Sequence, residues 1–278
     1  MGDLTDSLAW ERGAKVSQWG AGPVENALLI GLSRQMVLRR ELEVIANNVA
    51  NLNTTGFKAD GNIFHEHLMP VARAEQLRGA DRRMSYVIDQ STWHDFSQGP
   101  VQHTGNPLDL ALDGRAFLAV ETPRGERYTR NGALQINSQG ELVTSEGRRV
   151  LGESGPIVFQ IQDRDISVAR DGTVTAREGV TATAQAVRGK LRLVSFEQPE
   201  RLRKGGTSMF AAPDGVIPES DPSAAVTQGA IEKSNVRAVV EMSRMIEVSR
   251  SYQALAGMMQ QHGELRRSAI ERLAEVPA

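Results

Sequence analysis

The sequence contains no cysteine. This absence excludes disulfide bonds, thiolate zinc sites and a cysteine nucleophile. It suits a protein of a reducing compartment, and equally one that crosses into an oxidising compartment without the risk of mispaired disulfides. Histidine is scarce, with 5 residues in 278, and its closest grouping is His65-Glu66-His67. Two histidines are too few ligands for a metal site, so we expect no metal ion and no cofactor.

The chain also lacks a dominant charge and a long apolar run. Its 32 basic and 34 acidic residues give a net charge of −2, and its arginine doublets are isolated, so nucleic acid is not an expected partner. No segment has the roughly 18 to 20 apolar residues that span a bilayer, so direct membrane insertion is not expected. Residues 1–23 lack the apolar core of a secretory signal peptide. We expect them to be a disordered leader or the product of a start site assigned too early.

Proline is missing from two long amphipathic runs, one at each end of the chain. On the N-terminal run, apolar residues recur at steps of four and three, at Leu38, Leu42, Ile45, Val49 and Leu52. On the C-terminal run, the same spacing joins Met245, Val248, Tyr252, Leu255 and Met259. This spacing places each set on one stripe of a helix. It predicts helices over residues 24–56 and 230–278 that pair as a coiled coil.

Several other residues belong to the same candidate assembly interface. Asn48 is interpreted either as part of a helix stop signal or as a polar group that fixes the register of the helix pair. Asn235 is interpreted as its counterpart on the C-terminal side. Met242, like the other methionines of the last helix, either lines a hydrophobic groove for a partner or fills the core of the helix pair. Methionine in such a seam more often fills the core, so core filling is favoured.

Between the helices, the pattern changes to short apolar or alternating runs separated by glycine turns. Asp113-Gly114, Asn131-Gly132 and Asp171-Gly172 are typical of tight turns between antiparallel strands. The spacing predicts an all-β meander over residues 85–210, joined to the helices by an extended linker (57–84) and a proline-containing linker (211–229). The predicted fold class is therefore α+β.

No motif in the sequence supports catalysis. Gly152-Glu153-Ser154-Gly155 lacks the spacing of a nucleophile elbow. The glycine-rich segment 204–208 lacks the order of a phosphate-binding loop, and no helix pattern follows it. Both segments are interpreted as turns, and the chain is not expected to be an enzyme.

Five segments resemble known sequences, in the same order along the chain. ANNVANLNTTGFKAD (46–60) is similar to the N-terminal signature of the bacterial flagellar basal-body rod and hook proteins. GNPLDLALDGRAFLAV (105–120), YTRNGALQINSQGELVT (128–144) and VLGESGPI (150–157) are similar to the central segment of this family. QGAIEKSNVRAVVEMSRMIEVSRSYQ (228–253) resembles its C-terminal signature. The resemblance runs from Val24 to the end. ENALLIGLSRQ (25–35) and WHDFSQGPVQHTGNPLDLAL (93–112) resemble the proximal-rod subunits more than the distal-rod or hook subunits.

The resemblance implies a structural subunit of the hollow flagellar rod that serves motility. It implies export through the flagellar type III apparatus, and partners that are copies of the chain and the other rod proteins FlgB, FlgC and FlgG. We expect the terminal helices to be ordered only in the assembled tube, with the β domain folding alone as its outer layer. Two alternatives remain open: a distal-rod or short hook subunit, and a periplasmic enzyme or carbohydrate-binding β domain with helical arms.

Overall fold

A computed structural model describes residues 23–69, 84–179, 185–206, 208–221 and 223–274. Helix α1 spans Pro23–Ala50 and helix α2 spans Ala238–Ala274. The strands between them are β1 Asp60–Met69, β2 Met84–His94, β3 Val101–His103, β4 Leu110–Asp113, β5 Phe117–Thr122, β6 Gly125–Thr129, β7 Leu134–Ile136, β8 Leu142–Thr144, β9 Arg149–Gly152, β10 Gly155–Pro156, β11 Asp163–Val168, β12 Thr173–Glu178, β13 Gln185–Lys190, β14 Leu193–Ser195, β15 Arg203–Lys204, β16 Met209–Ala211, β17 Glu219–Ser220, β18 Ala225–Gln228 and β19 Ala230–Glu232. The predicted α+β class is confirmed.

The chain forms two compact units. The described part of the smaller unit consists of residues 23–37, 65–69, 84–88 and 255–274, and the larger unit takes the described residues of 38–64 and 89–254. In the larger unit, Asn48 contacts Glu241 and Glu41 contacts Arg244, so the two helices pack antiparallel. In the smaller unit, Gly31 lies against Met259: a Cβ added at Gly31 would be 3.3 Å from the Met259 sulfur.

Strand β5 is the centre of the β region, because it is buried on both of its faces. Alternate residues of a strand point to opposite faces of the sheet. Leu118 and Val120 belong to a cluster of aliphatic side chains, whereas Phe117 and Ala119 belong to a second cluster that is rich in aromatic rings. We call these the aliphatic core and the aromatic cluster. The run FLAV therefore places one strand between two cores.

Around β5, most neighbouring strands follow the predicted meander. The main sheet has the order β15-β16-β6-β5-β9-β8-β7, and β11, β12 and β13 form a separate three-stranded meander. Several pairings break the pattern, because β6 also pairs with β16, and β5 also pairs with β9 and β14. β4 pairs with β18 and β3 pairs with β19, both antiparallel, so the last strands of the region return to its first ones.

These returning strands correct two predicted boundaries. Residues 230–232 were predicted to begin the C-terminal helix, but they form β19, and α2 begins at Ala238. Residues 211–229 were predicted to be a linker, but they contain β17 and β18. The sequence pattern did not predict these strands, because a strand of two to four residues is too short to show a clear alternation of apolar and polar residues. Strand β1 likewise occupies part of the predicted linker 57–84.

The N-terminal helix also ends earlier than predicted, at Ala50 rather than near residue 56. Gly56 does have the left-handed backbone expected of it, with φ +66°. It does not cap the helix, however. Its N–H donates to the carbonyl oxygen of Glu232 at 2.8 Å, so it closes a turn against β19.

We expect Gly56→Ala to destabilise the protein strongly, because the new Cβ would lie 2.4 Å from the backbone carbon of Arg130. Gly114→Ala is the matched control: Gly114 has a similar φ of +73°, but no atom lies within 4 Å of the place that its new Cβ would occupy. The control should cost about 1 to 2 kcal/mol for the left-handed backbone alone. Gly56→Ala should cost at least about 2 kcal/mol more in urea unfolding, because backbone atoms must move. Equal costs would show that the close approach to Arg130 is unimportant.

Candidate assembly surface

The predicted stripes on the two helices are the sides that the rest of the chain covers most. Four of the thirteen predicted interface residues are buried: Leu38, Ile45, Asn48 and Val248. Eight are half-buried: Leu42, Val49, Leu52, Asn235, Met245, Tyr252, Leu255 and Met259. Met242 is exposed, with 51% of its surface accessible. Most of each stripe is therefore covered within the single chain. Met242, for which core filling was favoured, is instead exposed on a different side of α2.

Asn48 joins three parts of the larger unit. Its side-chain amide donates to the carbonyl oxygen of Asp60 at 2.8 Å, and its Oδ1 accepts from the Asp60 N–H at 2.9 Å. The same amide also donates to a carboxylate oxygen of Glu241 on α2 at 3.3 Å. Asn48 therefore fixes the start of β1 against α1, and it also contacts the other helix. Both roles require a buried amide with two donors and an acceptor.

Asn235 lies just before α2 rather than on the helix stripe. Its Oδ1 accepts from the N–H of Ala59 at 2.8 Å, and its amide donates to the carbonyl oxygens of Asp95 and Ser97. Asn235 therefore ties the entry of α2 to the segments that follow α1 and β2. This position differs from the predicted one across the helix pair, because the helix begins three residues later.

A buried cluster of charges, which we call the Glu232 junction, lies where these segments meet. Lys58 Nζ is 2.7 Å from one carboxylate oxygen of Glu232, and Arg130 Nε donates to the other at 2.9 Å. All three side chains are at most 2% exposed. Burial lowers the pKa of Lys58, although the Glu232 carboxylate opposes that shift.

The Glu232 junction is satisfied in detail. The backbone N–H of Gly99 donates to Glu232, and Lys58 also donates to the carbonyl oxygen of Ser97. The Arg130 guanidinium donates further to the carbonyl oxygens of Gly114 and Ala116. Sequence reasoning missed this site, because its members lie 102 and 174 positions apart and share no motif.

A second polar cluster, the Asp60 junction, adjoins the start of β1. Asp60 accepts from Lys204 Nζ at 2.8 Å, and one of its oxygens is 2.7 Å from Nδ1 of His94. Burial opposes ionisation of Asp60, but the hydrogen bonds of His94 and Lys204 outweigh it, so the pKa of Asp60 is lowered. Lys204 also lies over the ring of Phe57 at 3.8 Å from its centroid.

The Asp60→Asn substitution should change how the free energy of unfolding depends on pH. Because the folded-state pKa is lowered, ionised Asp60 stabilises the fold above the unfolded pKa of about 3.9, and this contribution is lost as pH falls through the folded pKa. We expect the variant to be about 2 to 3 kcal/mol less stable near neutral pH, with the difference shrinking below about pH 4. Urea unfolding across pH measures both. Asp214→Asn, on an exposed loop, is the control and should change little; a pH-independent difference for Asp60→Asn would contradict the assignment.

The Asp60–His94 pair does not form part of an acid–base site. Asp60 is already neutralised by Lys204, and the His94 ring packs edge-on against Phe96 and Phe210. Among the described residues, no group of three metal-ligating side chains is found, and no helix there is long and apolar enough to cross a membrane. The side chains of His65-Glu66-His67 lie outside the described part of the chain.

The exposed apolar residues of α2 define the most distinctive surface. Val239, Met242 and Ile246 are 79%, 51% and 56% exposed. Their spacing of three and four places them together on one side of the helix, away from the stripe that contains Val248. We call these three residues the outer stripe. In the smaller unit, Leu32 and Met36 of α1 are likewise exposed, at 47% and 57%.

A second apolar stripe left exposed beside a covered one is a candidate surface for contact with another chain. The fold and this surface indicate the class of structural proteins that associate with other chains.

Comparison with known proteins identifies the family. Three family models match: flagella basal body rod protein over residues 28–58, the flagellar hook protein FlgE/F/G D1 domain over 111–176, and the flagellar basal body rod FlgEFG protein C-terminal region over 227–272. The rod protein FlgF of Caulobacter vibrioides is 38% identical, covering 91% of this chain and 100% of the relative. FlgF of Escherichia coli is 33% identical over 83% and 91%, and the rod protein FlgG of Agrobacterium fabrum is 31% identical over 82% and 91%.

The chain therefore belongs to the flagellar basal-body rod protein family, which confirms the resemblance found in the sequence. It is a structural protein and not an enzyme. Of the relatives just described, the FlgF proteins are more similar to it than the FlgG protein.

Proposed function

We propose that the chain is a subunit of the proximal part of the flagellar rod and that it polymerises through its terminal helices. The observation that carries this proposal is the outer stripe. Val239, Met242 and Ile246 remain exposed on a helix whose stripe from Met245 to Met259 is buried or half-buried, and they lie inside the region matched by the rod C-terminal family. Large apolar side chains gain about 1.5 to 3 kcal/mol each when they are buried, so a neighbouring helix is the natural cover.

In this proposal, the inner seam and the outer stripe have different tasks. The seam residues, such as Ile45 and Val248, hold α1 and α2 of one chain together, and the outer stripe contacts the helices of neighbours. Copies of the chain and the rod proteins FlgB, FlgC and FlgG are the proposed neighbours. The β region forms the outer layer, and the flagellar type III apparatus exports the chain.

The proximal position is supported by the greater identity to FlgF, at 38% and 33%, than to FlgG, at 31%. The identities to FlgF of Escherichia coli, at 33%, and to FlgG of Agrobacterium fabrum, at 31%, are close, so a distal-rod subunit is the second candidate. Cryo-microscopy of purified basal bodies tests the assignment directly. Side-chain density for this sequence in the proximal rod is the expected result, and its presence in the distal rod or hook instead would refute the proposal.

A further inference from the structure

Three arginines surround a cavity of about 250 Å3 at one edge of the main sheet, and we call them the arginine cradle. Arg124 lies in the β5–β6 hairpin, Arg127 lies on β6, and Arg148 precedes β9. Within the part of the chain that the structure describes, none of the three forms an ion pair. Nε of Arg148 is buried and has no hydrogen-bond partner there.

This arrangement is costly without an anion. Three guanidinium groups around one cavity repel each other, and a buried N–H without an acceptor loses the hydrogen bond it had with water. Guanidinium groups bind carboxylates with strong, directional hydrogen bonds. The cavity also has an apolar side, formed by Pro123 and Met209. Its best occupant is therefore an acidic peptide segment that carries an apolar side chain.

The chain itself contains such a segment. Residues 213–221, with the sequence PDGVIPESD, carry three acidic residues and no basic one. Ile217 is 75% exposed. Asp214 and Glu219 are exposed too. We call this segment the acidic loop.

The acidic loop is held in place rather than loose. Val216 donates its N–H to the carbonyl oxygen of Pro213 and packs against the aromatic cluster. Glu219 and Ser220 form β17, which pairs with β14. A segment ordered in advance loses less entropy when it binds.

The acidic loop does not reach the arginine cradle of its own chain, because none of its residues lines the cavity and β17 holds the loop at β14. Tyr128 of β6 and Phe210 of β16 belong to the aromatic cluster, as does Val216 of the loop. Their neighbours Arg127 and Met209, one residue earlier on each strand, must point to the other face, where the cradle lies. Val216 anchors the loop on the aromatic face and β17 fixes its other end at β14, so the loop meets an arginine cradle most directly in another molecule.

We propose that the arginine cradle of one chain receives the acidic loop of a second copy. The Asp214 and Glu219 carboxylates pair with the guanidinium groups, and Ile217 covers Pro123 and Met209. Because donor and acceptor surfaces differ, the contact is head-to-tail, and repeated contacts of this kind build a ring or a helical filament. This contact rests on the proposed function only for the place where it forms, which is the rod. The contact itself requires no more than two copies of the chain side by side.

The absence of cysteine gives a clean test. Two full-length chains, one carrying Thr122→Cys and the other Pro218→Cys, are co-expressed, and basal bodies are purified and treated with a short bis-maleimide. Thr122 lines the cavity and Pro218 follows Ile217, so the cradle arginines, the acidic side chains and Ile217 are all kept. A cross-linked product joining the two chains should exceed, by about tenfold, the yield from the control pair Ile161→Cys and Pro218→Cys. Ile161 is fully exposed and does not line the cradle.

A charge exchange tests the chemistry of the contact. Adding Arg127→Glu to the Thr122→Cys chain should lower the yield about fivefold or more, and adding Glu219→Arg to the Pro218→Cys chain should restore much of it. If Arg127→Glu leaves the yield unchanged, charge complementarity does not form the contact and the proposal is wrong. A yield equal to that of the control pair also overturns it.

Failure of the rod assignment is distinguished by a separate measurement. Immunoblots of the basal bodies report whether the chains are present at all. If they are absent, the rod assignment fails. The contact is then tested by cross-linking concentrated purified chains and comparing the yield of the test pair with that of the control pair.

Discussion

Replacing Glu232 with glutamine is expected to destabilise the protein by about 3 to 5 kcal/mol, the cost of leaving buried charges without their counter-ion. The carboxylate of Glu232 is fully buried and is the shared partner of Lys58 and Arg130. Glutamine has nearly the same shape but no charge, so the change removes the charge while it keeps the packing. The free energy of unfolding in urea measures the effect.

Glu153→Gln is the control for this substitution. Glu153 also forms an ion pair, with Lys190 at 3.0 Å, but both side chains are about half exposed. Exposed pairs contribute about 0 to 1 kcal/mol, so the control should change little. If Glu232→Gln were as mild as Glu153→Gln, the Glu232 junction would not hold the region together.

Changing Ile246 to aspartate is expected to abolish incorporation of the chain into the rod while leaving its folding intact. Ile246 is 56% exposed and belongs to the outer stripe. Because more than half of it is already exposed in the single chain, the free energy of unfolding should change by no more than about 1 kcal/mol. In an assembled rod, an apolar contact would be replaced by a buried carboxylate, so incorporation should fall more than about tenfold.

Motility in soft agar and immunoblots of purified basal bodies measure this loss. Ser251→Asp is the matched control, since Ser251 is exposed on the same helix but on another side. It should incorporate and support motility as the unchanged chain does. Normal incorporation of Ile246→Asp would mean that the outer stripe is not the surface by which the helices assemble.

These two substitutions separate folding from assembly. Glu232→Gln acts on the single molecule, whose β region and helix entry depend on one carboxylate. Ile246→Asp acts only where two molecules meet. The seam residues cannot make this distinction, because Ile45 and Val248 are buried within the chain and their loss would weaken both folding and assembly.

The helices were predictable from sequence because their pattern is long. Steps of three and four from Leu38 to Leu52 and from Met245 to Met259 define the covered stripes over many turns. The same spacing rule does not identify the outer stripe, because Val239 and Met242 lie outside the stripe that it selects. The structure shows that the selected stripe is covered and that the outer stripe is exposed.

The strands that close the β region were not predictable in this way. β18 and β19 are short and follow prolines, so their local sequence resembles a linker, and their identity depends on pairing with β4 and β3 far earlier in the chain. The Glu232 junction is hidden for the same reason. From the sequence alone, Glu232 is predicted to be an ordinary surface residue of a helix. In the structure it lies on β19, and its carboxylate is beside Lys58 and Arg130.

Sequence reasoning did find Gly56, but it gave the residue the wrong partner. A glycine after an asparagine-rich helix end is typical of a helix cap. The structure keeps the left-handed backbone and uses it to bring the chain against Glu232 and Arg130. Local conformation was therefore predictable, whereas the distant contact that requires it was not.

Because Glu232 lies late in the chain, the Glu232 junction cannot form until most of the chain has been synthesised. Lys58 and Arg130 are synthesised before the carboxylate that neutralises them, which lies 174 and 102 positions later. A truncated chain that stops short of β18 leaves both cations without their partner and exposes the edges of β3 and β4. Such a chain would offer open strand edges to proteases, so a protected fold requires a chain that extends through β19.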